Sequence, residues 1–207
     1  MTWVILACEA LFVLFMGRAM ALYPGGTWLD RGARGHRFWT NFLCDVMQPR
    51  SLNDEDNARA ARWARAAMLC LGMALLAFWQ FVPTLFKEAA VLGWGVRVTG
   101  AISSLGLAGV IFFPSQKFPN LHGVFVLSAG GVGLLAAVAA TVGLVMAGGA
   151  ARGAGLLGVA TLVVGGLDAI FFAQEHLKHL ETRLRTTVLQ RSANLLALVW
   201  MAYAATF

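Results

Sequence analysis

Six stretches of about 20 residues with almost no charge recur along this chain, near 3–22, 66–86, 92–113, 121–147, 153–174 and 187–206. At about 1.5 Å per residue, a helix of that length crosses a hydrocarbon core of ~30 Å. Backbone inside lipid has to satisfy its own hydrogen bonds, so an isolated apolar segment of this kind has only the helix open to it. The pattern predicts an all-α, polytopic membrane protein with six transmembrane helices in a single membrane domain, 1–207.

Composition agrees, with a mean hydropathy of +0.71, 59% hydrophobic residues and 13% charged ones. Little chain remains outside the spans for a second domain. The formal charge of +6 would point to nucleic acid in a soluble protein. Here the basic residues border the spans, where they meet anionic headgroups, so lipid and not nucleic acid is the expected partner.

Thirteen of the 16 Lys and Arg fall around the first, third and fifth connections: Arg18, Arg31, Arg34, Arg37, Arg50, Arg59, Arg62, Arg65, Lys117, Lys178, Arg183, Arg185 and Arg191. Lys87, Arg97 and Arg152 lie toward the other side. The positive-inside bias makes the odd connections cytoplasmic and both termini periplasmic, in what the short loops and a pI of 9.9 mark as a bacterial inner membrane. The first segment has no basic residue before it and no small-residue cleavage site, so it reads as a retained helix. Cys8 and Cys70 fall inside spans and Cys44 on the cytoplasmic side, which gives no disulfide framework.

Trp3, Trp94, Trp200 and Tyr203 are expected in the outer aromatic belt, with Tyr23 and Trp63 in the inner one. Seventeen of 23 glycines lie between Gly93 and Gly166, which predicts close helix packing in spans three to five. Gly148 to Gly153 is the hairpin that divides the long apolar run from Leu121 to Phe172.

The first loop, about 24–63, is the least ordinary part. Phe38, Trp39, Phe42, Leu43, Val46 and Met47 alternate with Thr40, Asn41, Cys44, Asp45 and Gln48 at helical spacing. That spacing predicts an amphipathic interfacial helix over about 37–48, ended by Pro49. Asn53 then caps a helix opening on Asp54, Glu55 and Asp56.

Four histidines fall at the cytoplasmic end: His36, His122, His176 and His179. With Cys44 and Glu175 they offer zinc its preferred donors, and a metal-activated water would make the chain an intramembrane hydrolase. Against this, no spacing matches a zinc signature; a solvated, charged helix end accounts for His176 and His179, and an ordinary loop position for His36. Haem is disfavoured, because no two histidines lie deep in facing spans at matching depth. Asn41 and Asp45 share the polar stripe and face His122 across the inner interface; with Asp168, in the inner half of span five, they form the candidate ligand pocket. Glu9 and Arg97 lie at matching depth, about 8–9 Å below the outer ends of spans one and three, and are expected to pair as a structural ion bridge.

Two elements, Tyr23-Pro24-Gly25-Gly26-Thr27 with Asn41-Phe42-Leu43-Cys44-Asp45, and Phe113 to Lys117 followed by Pro119-Asn120-Leu121-His122-Gly123, carry a resemblance to known proteins. The chain loosely resembles the six-span Frag/DRAM/Sfk-like families and their bacterial relatives. Cys44 stands where those families often have Ser, and Val46-Met47 replaces Leu-Gly. Some eukaryotic members remodel lipid anchors or act in membrane homeostasis, so the resemblance implies a lipid-facing role. Two functions from different classes follow. One is a protein that binds or modifies a lipid or other amphiphile at a polar cytoplasmic-end pocket. The other is a non-catalytic subunit or assembly factor that packs against other membrane subunits.

Overall fold

A computed structural model describes residues 1–177 and 184–207, the last three of the first stretch as backbone only. Its long helices are α1 (Thr2–Leu22), α3 (Ala58–Phe81), α4 (Ala90–Phe112), α6 (Gly133–Ala147), α7 (Ala151–Leu177) and α8 (Leu184–Ala204). The short α2 is Leu43–Met47, and α5 is Pro119–Leu127. No strand occurs among the described residues. Among the described residues, five helical stretches are long and apolar enough to cross a membrane: Thr2–Leu22, Ala58–Leu85, Ala90–Phe112, Pro119–Ala147 and Ala151–Gln174.

The ends follow from local chemistry. Tyr23, restricted by Pro24, leaves α1 with extended dihedrals. Pro119 opens α5, where its missing N–H costs nothing. Gly148 and Gly149, at φ +70° and +53°, end α6 with backbone that other residues rarely adopt. Between α5 and α6 one π turn, Ser128–Val132, keeps the rod continuous. It faces α4, where the Ser103 hydroxyl donates to the Ala129 carbonyl at 2.6 Å.

Consecutive long helices pack in chain order, α1 on α3, α3 on α4, α4 on α6, α6 on α7 and α7 on α8, and α8 touches α1 lightly to close the ring. The glycine expectation holds on α4 but not throughout spans four and five, where Gly123, Gly130, Gly131 and Gly166 face open space. A Cβ on Gly106 would lie 2.6 Å from the Ala129 nitrogen, while Gly100 and Gly109 leave room for the Trp79 and Phe125 rings. Trp200 departs from its expected place in the outer belt: it is buried among Phe78 and Trp79, because the α3/α8 seam needs large rings to fill it. Trp3 and Trp94 remain exposed.

The first loop differs most from expectation. Residues 38–41 form turns, and the only helix there is the five-residue α2. The apolar half, Phe42, Leu43, Val46 and Met47, is buried, but so is the polar half, with Asn41 fully buried and Asp45 and Gln48 nearly so. An interfacial helix leaves its polar face wet. Here the polar face has protein partners, so the segment folds as the core of a compact cap. Helix α3 begins at Ala58 and not after Asn53. The acidic run 54–56 belongs to a turn in which Asp54 takes φ +64° and the backbones of Arg50 and Asp56 pair as an isolated antiparallel bridge.

The expected Glu9–Arg97 bridge is not made. Glu9 is buried with Oε1 lacking a hydrogen-bond partner, and the Arg97 guanidinium lies 5.8 Å from the Trp94 ring centre. Equal depth does not make neighbours, since α1 packs on α3 while α4 packs on α3 and α6.

Candidate functional site

The cap, residues 23–57, is built from two loops that the sequence keeps apart. Gly26 takes φ +84°, and a Cβ there would meet the Asn53 backbone nitrogen at 2.4 Å, so only glycine lets the 23–27 turn lie on the 51–54 turn. The Leu52 N–H donates to the Tyr23 hydroxyl at 3.0 Å across the same contact. Thr27 Oγ1 accepts from the Leu29 and Asp30 N–H groups, which closes the next turn. Asn57 Nδ2 donates to the Val46 and Gln48 carbonyls and ties α2 to the start of α3.

Asn41 and Asp45 are brought together beneath this turn. Asn41 Nδ2 donates to the Gly26 carbonyl at 2.9 Å, and its Oδ1 accepts from the Arg37 N–H at 3.0 Å. Asp45 Oδ2 accepts from the Phe42 N–H at 2.8 Å and from the Trp28 indole at 3.1 Å. Burial pushes the Asp45 carboxyl up to about 6, against the opposing pull of those donors, of Asn41 and of Arg191.

The residue that organises the cluster comes from the far end of the chain. Arg191 of α8 is 2% exposed and donates from Nε and Nη2 to the Asn41 carbonyl at 3.2 and 2.9 Å. Its Nη2 also lies 3.2 Å from His36 Nε2, which must therefore act as acceptor in a neutral ring. Burial and the adjacent guanidinium hold His36 down at about 4. Two further bonds dock the cap onto α8: Gln190 Oε1 accepts from the Leu43 N–H, and Thr187 Oγ1 donates to the Trp39 carbonyl. The 113–118 connection is docked as well, through Gln116 to the Arg50 backbone. The cap thus spans the seam where α8 meets α1 with few direct contacts.

The other candidates lie elsewhere. His122 is buried, but its Nδ1 donates to the Phe113 carbonyl at 2.7 Å and ties α5 to the end of α4. Asp168 lies on α7, which packs on α6 and α8. Cys44 is half-buried on α2. His179 and the side chains of Glu175 and His176 lie outside the described residues. Among the described residues no three His, Cys, Asp or Glu side chains come close enough to hold a metal ion. His36 spends Nε2 as the acceptor from Arg191, which leaves its Nδ1 protonated, and His122, whose Nδ1 donates to Phe113, keeps Nε2 free but has no second and third donor beside it, so the described donors do not assemble a zinc site.

Above the cluster the cap opens to solvent in a crevice of about 580 Å³ lined by Arg31, Gly32, Ser51, Leu52, Asn53, Asp54 and Gln116. That is within the range of small-ligand sites. Arg31 is held over the Trp28 ring at 4.9 Å with one nitrogen donating to the Leu52 carbonyl. Asp54 is fixed by its turn, its carbonyl accepting from Arg50. A cation and a carboxylate therefore face one opening, and no ion pair joins them. Leu29, Phe38 and Trp39 are exposed on the cap's exterior.

No family model, curated protein or solved structure matches the chain.

Proposed function

We propose that this protein is a six-crossing membrane protein whose cap binds the polar head of a phospholipid or similar amphiphile that carries both a phosphate and an ammonium group. The observation that carries this reading is the crevice in which Arg31 and Asp54 stand unpaired with each other. Arg31 suits a phosphate and Asp54 an ammonium, and the exposed Leu29, Phe38 and Trp39 suit the interfacial zone where such heads lie. A lipid-facing role also agrees with what the resemblance of the 23–27 and 41–45 segments implies. In this reading α8, 21 residues long, is the sixth crossing, the capped end is cytoplasmic, and Asn41, Asp45 and Arg191 are positioning residues beneath the binding surface. The assignment is binding; no reacting atom is placed.

Retention of phosphatidylethanolamine by the full chain in maltoside detergent tests it, against phosphatidylcholine as the bulky-ammonium control. Asp54→Asn keeps a residue that tolerates positive φ, and Arg31→Gln keeps the crevice polar. Each change should weaken retention about fivefold, as expected for one charge near a headgroup. Unchanged retention in both variants refutes the reading.

A further inference from the structure

The opposite end of the bundle holds a second cavity, walled mostly by apolar side chains and entered by two cations. It measures about 210 Å³ and lies between the 3₁₀ turn Val82–Leu85 and the start of α4, lined by Thr84, Phe86, Lys87, Gly93, Trp94 and Arg97 among others. At about 30 Å³ per liquid water, that is the space of roughly seven waters.

Arg97 is the eighth residue of a helix that is otherwise uncharged over its first three turns. A cation at such a depth is costly and is normally paired or turned toward water. Its side chain reaches back toward the helix start, where it shares the cavity with Lys87. Neither Arg97 nor Lys87 is joined to a carboxylate or makes a hydrogen bond within the described residues; Arg97 has only the Trp94 ring face. No acidic residue lines the cavity, and Glu88, next to Lys87, is exposed outside it. Two cations in one small cavity repel each other and leave a net positive charge at headgroup depth. The exposed Trp94 marks that depth, as indoles favour the interface. A Cβ at Gly93 would lie 3.3 Å from the Pro83 ring, so glycine there keeps the floor open.

We propose that this cavity is a binding site for a phosphate-type anion, held jointly by Lys87 and Arg97, with the head of an anionic phospholipid as its source in the membrane. It is separate from the cap crevice and does not depend on it: the cap presents both charge signs, this cavity only one.

The test is native mass spectrometry of the full chain in maltoside detergent, titrated with phosphatidylglycerol, with phosphatidylcholine, and in a separate arm with inorganic phosphate as competitor. Phosphatidylglycerol should bind in preference to phosphatidylcholine. Lys87→Gln and Arg97→Gln should each weaken that binding about fivefold, and the double change about 25-fold, from roughly one fivefold factor per cation. Arg152→Gln, a basic residue in the first turn of α7, should leave it unchanged. Competition by millimolar inorganic phosphate identifies a site for the free anion; lack of competition assigns it to the lipid. Lys87 is exposed, so its replacement leaves the bundle folded and decides the matter even where an Arg97 variant expresses poorly. Equal phosphatidylglycerol binding by wild type and Lys87→Gln, or no preference over phosphatidylcholine in wild type, overturns the proposal.

Discussion

Replacing Arg191 by Met should release the cap from the bundle while leaving the helices in place. The side chain is 2% exposed and donates twice to the Asn41 carbonyl and once to His36. Met fills much of the same volume but offers no donor, so Asn41 loses both bonds and Asp45 loses its nearest cation. Removing one partner from a buried charged network costs about 3–5 kcal/mol, because the remaining polar groups stay buried and unpaired. Even the lower figure is a factor on the order of 10² in an opening equilibrium. Hydrogen exchange in detergent reads this directly, since regions open locally with their own free energies. Amides of the cap, 24–57, should exchange on the order of 100-fold faster in the variant, whereas those of α4 should match wild type. Arg191→Lys keeps the charge but not the planar fork and should fall between. Cap amides that exchange within about threefold of wild type in Arg191→Met would refute the argument that this residue holds the cap down.

The cap should also show a masked pH response. Asp45 titrates near 6 against an ordinary 3.8, so the folded cap takes up that proton first and acid strengthens it between about 6 and 4. His36 titrates near 4 against 6.5, so the unfolded chain takes up that proton first and acid weakens the cap between 6.5 and about 4. In wild type the two oppose each other; Asp45→Asn removes the first, and its melting temperature should fall from pH 7 to 4.5 while that of wild type changes little. Parallel pH profiles contradict this assignment. Gly106→Ala should cost about 1–3 kcal/mol, because its Cβ meets the Ala129 backbone and backbone cannot step aside, whereas Gly95→Ala meets nothing within 4 Å and should be tolerated. Equal melting temperatures for the two variants would show that α4 does not pack as described. A reporter active only outside the cytoplasm should work when fused at Phe207 and fail when placed in the 24–57 loop; the reverse result inverts the proposed orientation.

Helix positions were legible in the sequence because lipid leaves no alternative: expected span 3–22 is α1 at Thr2–Leu22, and 92–113 is α4 at Ala90–Phe112. Boundaries set by turns were legible for a similar local reason, as at Pro24 and Gly148. The cap was not, because its logic is long-range. The helical stripe from Phe38 to Gln48 satisfies a local pattern, yet what decides its structure is Gly26, Trp28, Gln190 and Arg191, the last about 150 positions away. Asn41 and Asp45 were visible as an unusual polar pair, but their partners were not. Arg191 did carry a signal: it lies four residues inside an expected span with no acidic residue on its own helix. Counted only as one of the basic residues that set orientation, it gave no hint of the contact. His122 was expected to face Asn41 and instead bonds Phe113, nine residues back, a partner that a turn supplies more cheaply than a neighbouring loop does.

The central claim is that the cap crevice receives a phospholipid head, and the most direct measurement is to map where such a head touches the protein. Phosphatidylethanolamine carrying a photoreactive diazirine in its head, reconstituted with the full chain and irradiated, should leave adducts on residues 31–32, 51–54 and 116, and these should fall sharply in the Arg31→Gln, Asp54→Asn double variant. Adducts spread evenly around the bundle, or undiminished on those residues in the double variant, would contradict the account.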